Sequence, residues 1–260
     1  LKNNNSFKLH KHFVGGVSDN LTFGYTMRHG GQSSYPEHSF NMALYIGDDA
    51  ENVHAHQEQL AEEIGFPVSS WVLPVQKHGG NIKEVTISDC GTNIKKLGSR
   101  LNDVDGLFTY DPGVLLTMNY ADCIPVYVYS VTDTFTGLAH AGWRGTAENI
   151  AAKLIDCYRG SKDDLRVIIG VGINRDYYEV DDKVIHALQP LEESSYEQTG
   201  SGWQLDLKDV NKHQAEAVGI NEKHISVTGL GTESDEFFSF RMEQGKTGRA
   251  LAFIGRRNND

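Results

Sequence analysis

The stretch NYADCIPVYVYS, residues 119–130, sets an acid and a thiol, Asp122 and Cys123, at the mouth of a run with the composition of a buried strand. Residues 114–118 and 135–140 share its enrichment in Val, Ile, Tyr, Phe and Thr. Together with residues 124–129 they are predicted as neighbouring strands joined by short turns. Further strands are expected near residues 71–75, 166–171, 225–228 and 250–254. Between them lie helical patterns. DDAENVHAHQEQLAEEIGFP has Asp48 or Asp49 as N-cap, Val53, Leu60, Ala61 and Ile64 on one face, and Gly65 then Pro67 as the stop. Residues 147–158 repeat the helical spacing at Ile150, Ala151, Leu154, Ile155 and Tyr158, with Thr146 as cap and Gly160 as stop, and residues 206–218 end at Gly219. In contrast, YTMRHGGQSSYPEHSFN, residues 25–41, reads as an irregular loop.

Strands and helices alternating along 260 residues give an α/β (α+β) chain, long enough for a substantial core and read as one domain. Residues 1–20 read as a polar segment ahead of a domain spanning 21–260. A net charge of -11 disfavours nucleic acid and anionic membranes as partners, which leaves a small molecule. No apolar run approaches the roughly 20 residues that span a bilayer. The opening LKNNNSFKLHKH lacks the features of a secretory signal, and the odd count of three cysteines has no disulfide-framework spacing. A reducing, cytoplasmic setting follows as the expectation.

Three short segments share a design. QKHGG, ADC and AHAGWRG each set a borderline or soft donor, His78, Cys123 or His140, where a strand meets a turn or glycine-rich segment. Two imidazoles and one thiolate suit zinc, and they leave a fourth position open as catalytic zinc sites do. Spacing alone also allows a buried structural cysteine beside two hydrogen-bonded histidines.

The segments FGYTMRHGGQS, SFNMALYIGDD, VQKHGG, NYADCIPV, HAGWRGT, YYEV and FFSFR, in this order from about Phe23 to the C-terminus, resemble the laccase-domain family, formerly called multicopper polyphenol oxidases. That family includes purine nucleoside phosphorylases and deaminases, and proteins described as peptidoglycan editing factors. The pair ADC and HAGWRG is its most specific mark. The resemblance implies mixed β-sheets in a sandwich flanked by helices, and a metal site whose ligands fall on His78, Cys123 and His140. It also implies one pocket for phosphorolysis of adenosine, inosine, guanosine and methylthioadenosine and for adenosine deamination. The chain departs from the family at Lys77, where Val is usual, and in having no cysteine near Asn174 or Arg175 or at Gly231. A multicopper cluster needs several histidine pairs. The His-x-His at His54 and His56 sits inside the first helix and reads as surface.

As cofactor, Zn2+ is expected ahead of copper, because zinc is more available and redox-inert beside a thiolate, although copper binds such a site more tightly. A bound zinc would bring a water's pKa toward ~7, giving hydroxide that could attack C6 of adenine and expel ammonia. Asp122 is the candidate proton shuttle, provided the chain turns there; a strand-entry cap or supporting hydrogen bond is the alternative. Phosphorolysis requires an anion site. Arg28, beside His29 and two glycines, and Arg144, just before a helix N-terminus, are the candidates, with Asn41 for substrate and Arg241 at the pocket or the sheet edge. Trp143 or Tyr120 can stack on a base.

Two further readings use the same residues. One is a metal-free thiol amide hydrolase acting on a cell-wall precursor, with Cys123 as nucleophile and His140 as base. The other is a structural zinc domain closed by His29 or His38. The expected assembly is a monomer or homodimer.

Overall fold

The structure is a computed structural model that describes residues 7–18, 20–34 and 37–258. Its centre is the strand Ile124–Ser130, which pairs antiparallel with Thr136–Ala141 on one side and with Leu165–Ile169 on the other. Side chains alternate across a strand. Val126 and Val128 therefore face one core, and Tyr127 faces another.

Two six-stranded sheets stack on each other. The first has the order Lys8–Leu9, Phe13–Val17, Thr22–Thr26, Ala250–Gly255, Leu115–Tyr120, Trp71–Val72. The second runs Ile225–Val227, Leu165–Ile169, Ile124–Ser130, Thr136–Ala141, Gly106–Thr109, Ile82–Glu84. Both are mixed. Pairing is parallel for Trp71–Val72 with Leu115–Tyr120, for Leu165–Ile169 with Ile225–Val227 and for Ile82–Glu84 with Gly106–Thr109, and antiparallel elsewhere in the two sheets. Tyr25, Leu116 and Met118 from the first sheet meet Leu107, Tyr127 and Leu138 from the second in the core between them.

Helices cover the outer faces. The described residues hold five: α1 (Ala50–Ile64), α2 (Trp143–Ala147), α3 (Ile150–Asp156), α4 (Asp182–Leu188) and α5 (Leu207–Ala217). Helix α1 lays Leu60 and Ile64 on Phe13, Leu115 and Phe253 of the first sheet. Helices α3 and α5 lay Ile150, Leu154 and Val210 on Val126, Val128 and Val167 of the second. Leu60 is fully buried, so truncating it to Ala is expected to cost about 2–5 kcal/mol. The result is a four-layered α/β single domain. No described helix is long and apolar enough to cross a membrane.

The structure differs from the sequence reading in several places. Within residues 25–41 the expected loop contains a hairpin, His29–Ser34 with Glu37–Ser39, whose irregular register breaks the alternation that would have revealed it. Within the expected polar segment, Lys8–Leu9 and Phe13–Val17 are the outer two strands at one side of the first sheet. Phe13–Val17 gives little side-chain signal because Gly15 and Gly16 stand where the backbones crowd: a Cβ at Gly15 would lie 2.2 Å from the Phe23 carbonyl oxygen. The expected helix over 147–158 is shorter, α3 at Ile150–Asp156; a break at Glu148 and Asn149 separates it from α2, and Asn149 takes the N-cap position in the left-handed region (φ 58°). Thr146 is not the cap; its hydroxyl accepts from Asn211 instead. His56 is not a surface residue. It is fully buried, its Nδ1 bonded to the Asn41 carbonyl and its Nε2 accepting from Gln32 N–H. Helix α4 and a small sheet of Glu179–Val180, Trp203–Leu205 and Tyr196–Gln198 gave no periodic signal, being short and rich in charged residues.

Candidate metal centre and cavity

The chain leaves the first sheet at Tyr120 and enters the second at Ile124, so residues 121–123 form a link between sheets. Asp122 adopts φ 85°, a left-handed conformation that Asp tolerates better than most residues. This turn swings Cys123 to the end of the sandwich. His78 lies on another crossing between the sheets, between Trp71–Val72 and Ile82–Glu84, also with positive φ (64°). His140 comes from the end of Thr136–Ala141, opposite Pro125. One ligand atom from each of His78, Cys123 and His140 lies within 4.8 Å of the other two. His78 is exposed, Cys123 partly buried and His140 buried. Gly142 leaves room for this meeting, since a Cβ there would lie 2.8 Å from Cys123 Sγ and 3.6 Å from His78 Cδ2.

Sequence reasoning missed the residue that organises this group. Asp105, fully buried, accepts from His140 Nδ1 (2.9 Å) and His78 N–H (2.9 Å) on one oxygen, and from Lys77 N–H (2.9 Å) and Gly79 N–H (3.0 Å) on the other. A carboxylate only accepts, so His140 carries its proton on Nδ1 and presents Nε2 to the triad. Burial pushes the Asp105 carboxyl up, but the hydrogen bond and charge of His140 and the Lys77 and Gly79 amides outweigh it and hold the carboxyl below its usual range. In DVDGLF nothing distinguishes Asp105 from Asp103; only the fold does.

The triad is electrostatically coupled. Burial pushes the Cys123 thiol up, yet the His140 charge and hydrogen bonds from His140 and His78 bring it down to about 6 from an ordinary 9.0. Burial pushes His140 down, and the Cys123 charge and the Asp105 bond raise it to about 9. In contrast, burial raises both Cys90 and Cys157. Two nitrogens and a thiolate, with a carboxylate fixing one imidazole from behind and an open side, make a donor set that fits a divalent transition ion. No fourth His, Cys, Asp or Glu joins this group among the described residues. His29 does not join it, and the His38 side chain lies outside the described residues.

The triad opens on a cavity of about 560 Å³. Lys77, Arg144, Arg241 and Arg249 line it, along with the apolar groups of Tyr45, Leu73, Leu97 and Phe240. Arg144 lies inside the short helix α2, not before a helix N-terminus, with its guanidinium 4.4 Å from the Trp143 ring centre. Arg241 donates from Nη1 to the Glu179 carbonyl (2.7 Å) and lies over Tyr178. Among the described residues none of Lys77, Arg144 and Arg241 has a carboxylate partner.

Other expected site residues have different partners. Arg28 does not line the cavity; it forms an ion pair with Glu243 (2.9 Å) and lies over Phe238. Asn41 is fully buried and saturated, with Nδ2 donating to Ala43 O and Asp48 Oδ2 and Oδ1 accepting from Ala43 and Arg249 N–H. Tyr120 is buried beneath the site, donating to the Ala139 carbonyl (2.9 Å). Asp122 has both carboxylate oxygens engaged, by Thr232 Oγ1, Ser239 Oγ and Arg241 N–H.

The family described as multi-copper polyphenol oxidoreductase laccase matches residues 22–257, which include every side chain of this site. The chain belongs to that family. A protein of Staphylococcus epidermidis named purine nucleoside phosphorylase is 43% identical over 243 residues, covering 91% of this chain and 92% of its own length. Among solved structures, YlmD from Geobacillus stearothermophilus superposes with a TM-score of 0.93 at 38% identity, over 97% of this chain and 99% of its own. YfiH of Bacillus licheniformis does so with a TM-score of 0.91 at 34% identity, over 96% and 99%. The His-x-His of α1 contributes no copper ligand here, since His56 is bonded within the core.

Proposed function

We propose that the protein is a metal-dependent purine nucleoside phosphorylase that also deaminates adenosine, with zinc as its ion, held by His78, Cys123 and His140. The observation that carries this reading is the triad on the wall of a cation-lined cavity, in a chain 43% identical to a relative named purine nucleoside phosphorylase. A bound zinc ion supplies Lewis acidity and makes hydroxide accessible at neutral pH.

The rest falls to the chain itself. Phosphorolysis brings a phosphate oxygen to the anomeric carbon of ribose, breaks the glycosidic bond and passes the phosphate's proton to the departing purine. Arg144 and Arg241, without carboxylate partners among the described residues, hold the phosphate by charge-assisted hydrogen bonds, in the role that sequence reasoning assigned partly to Arg28. Trp143, Tyr45 and Phe240 give apolar faces for the base. Asp105 keeps the His140 proton on Nδ1. Deamination replaces the exocyclic amine of adenosine with oxygen from water and releases ammonia.

Incubation of the purified protein with adenosine and phosphate, followed by chromatography, tests the reading. Inosine, free base and ribose 1-phosphate are the expected products, and their absence with zinc bound defeats it.

A second reading is favoured by one specific contact. Cys123, His140 and Asp105 form a thiol–imidazole–carboxylate series, the arrangement of a thiol hydrolase that cuts an amide, such as one in a cell-wall precursor. Metal content of protein purified without added ions separates the two. A stoichiometric ion favours the phosphorylase, and a metal-free protein that forms an acyl-thiol favours the hydrolase.

A further inference from the structure

The segment that carries Phe240 and Arg241 into the cavity has no helix or named strand from residue 231 to 249. Main-chain turns such as Glu243 N–H to Ser239 O and Gly245 N–H to Phe240 O fold it locally, and side-chain hydrogen bonds to its backbone and hydroxyls hold it against the rest of the protein. Glu243 gathers one set, accepting from Ser239 N–H (3.1 Å), from Thr247 Oγ1 and from Arg28 Nη2 (2.9 Å). Asp122 gathers the other. Its Oδ1 accepts from Thr232 Oγ1 (2.7 Å) and Ser239 Oγ (2.6 Å), and its Oδ2 accepts from Arg241 N–H (2.6 Å). Asp122 is buried, and the residue after it is Cys123.

We infer that Asp122 is a positioning residue rather than a proton carrier. It holds the Phe240–Arg241 segment so that the Arg241 guanidinium forms an anion-binding side of the cavity. The identity of that anion as phosphate rests on the phosphorylase reading. Three donors already converge on the two oxygens of Asp122, leaving it poorly placed to exchange a proton with substrate. The same bonds fix the Arg241 backbone, and the Glu179 carbonyl and Tyr178 ring fix its side chain from the other end. The remaining guanidinium N–H groups have no carboxylate partner among the described residues. The Asp122 turn thus sets the anion arm and Cys123 from one short link.

The test is binding of inorganic phosphate to the metal-loaded full-length protein by calorimetry, together with phosphorolysis kinetics. Arg241→Gln and Asp122→Ala are each expected to weaken phosphate binding about tenfold and to raise the phosphate KM alike, with metal content unchanged in Arg241→Gln. Asp122→Asn is the conservative variant. Its amide can accept from Arg241 N–H and donate to the two hydroxyls, so it is expected to recover most of the affinity that Asp122→Ala loses, with kcat reduced less than about tenfold.

A proton carrier behaves in the opposite way: Asp122→Asn would lower kcat by about 100-fold or more while phosphate affinity stays intact, and that result overturns the inference. Unchanged phosphate affinity in Arg241→Gln overturns it too, even if Asp122→Ala fails to fold. Phosphate binding that depends on Arg241 in a protein with no phosphorolysis supports the arm and removes the phosphorylase reading. A wild-type protein that binds no phosphate removes the inference.

Discussion

Two regions enclose the cavity, and they are built on different principles. The wall that carries His78, Cys123 and His140 consists of strand ends and of links between two sheets, so main-chain ladders and a buried core fix its geometry. The rim that carries Phe240 and Arg241 has no strand ladder; local main-chain turns and side-chain bonds to Asp122 and Glu243 shape it. Each region has one buried aspartate at its root, Asp105 behind the wall and Asp122 beneath the rim. On the proposed reading, the contrast makes holding a metal and holding an anion separable, although the two aspartates flank the same few residues.

The largest effect should come from the wall. Cys123→Ala is expected to remove bound metal and with it both activities, read by elemental analysis and product chromatography; retained metal with full turnover would break the wall's role. Asp105→Ala comes next. It frees the His140 ring and strips the acceptor from three backbone N–H groups, so metal affinity should fall about 10–100-fold in chelator competition, whereas Asp122→Asn, which keeps a side chain tolerant of the left-handed turn, should leave it nearly unchanged. Equal losses from the two aspartates would erase the distinction between wall and rim.

A third effect is visible in the metal-free protein. The thiol of Cys123 is depressed to about 6, so iodoacetamide should label it at pH 7 well ahead of Cys90 and Cys157, with the rate falling about tenfold per pH unit below 6. Global stability should respond much less. The depressed Cys123 contributes stability that is fully present above its ordinary 9.0 and is lost as pH falls through about 6. The raised His140 contributes stability that is fully present below its ordinary 6.5 and is lost as pH rises through about 9. Between 6.5 and 9 the two slopes oppose each other, so the melting temperature should be nearly flat with respect to this pair.

The smallest effect belongs to the rim's exposed ring. Phe240 is 53% exposed, so Phe240→Ala should change stability by no more than about 0.5 kcal/mol while raising the nucleoside KM. A melting shift of many degrees would show the rim to be part of the core.

Much of the fold was legible where one face of an element is buried. The α1 pattern gave its ends, and Asp49 and Gly65 cap it as expected, with Gly65 at φ 67°. Asp206 likewise caps α5 by accepting from Asp209 N–H. Central strands such as Ile124–Ser130 announce themselves as β-branched and aromatic runs. The expected strand near 71–75 shrinks to Trp71–Val72, because the chain then leaves the first sheet toward His78. The strand Phe13–Val17 escaped notice because glycines replace side chains that would have signalled it, and Lys8–Leu9 is too short to show a pattern.

For the site, the three donors were marked by unusual residue types beside turns, which a linear reading can see. Partnership was not. Arg28 and Asn41 look like binding residues in sequence, yet their bonds run to Glu243 and to Asp48, Ala43 and Arg249. Asp105 looks like any turn aspartate until four donors are brought around it.

The left-handed turn at Asp122 has a mechanical consequence. His78 and Cys123 ride on separate crossings between the same two sheets, so an ion clasped by them would rivet the halves of the sandwich together at one end. Sliding one half over the other would pull the clasp apart, and a substitution deep between the halves can therefore spoil metal capture without touching any residue near the ion.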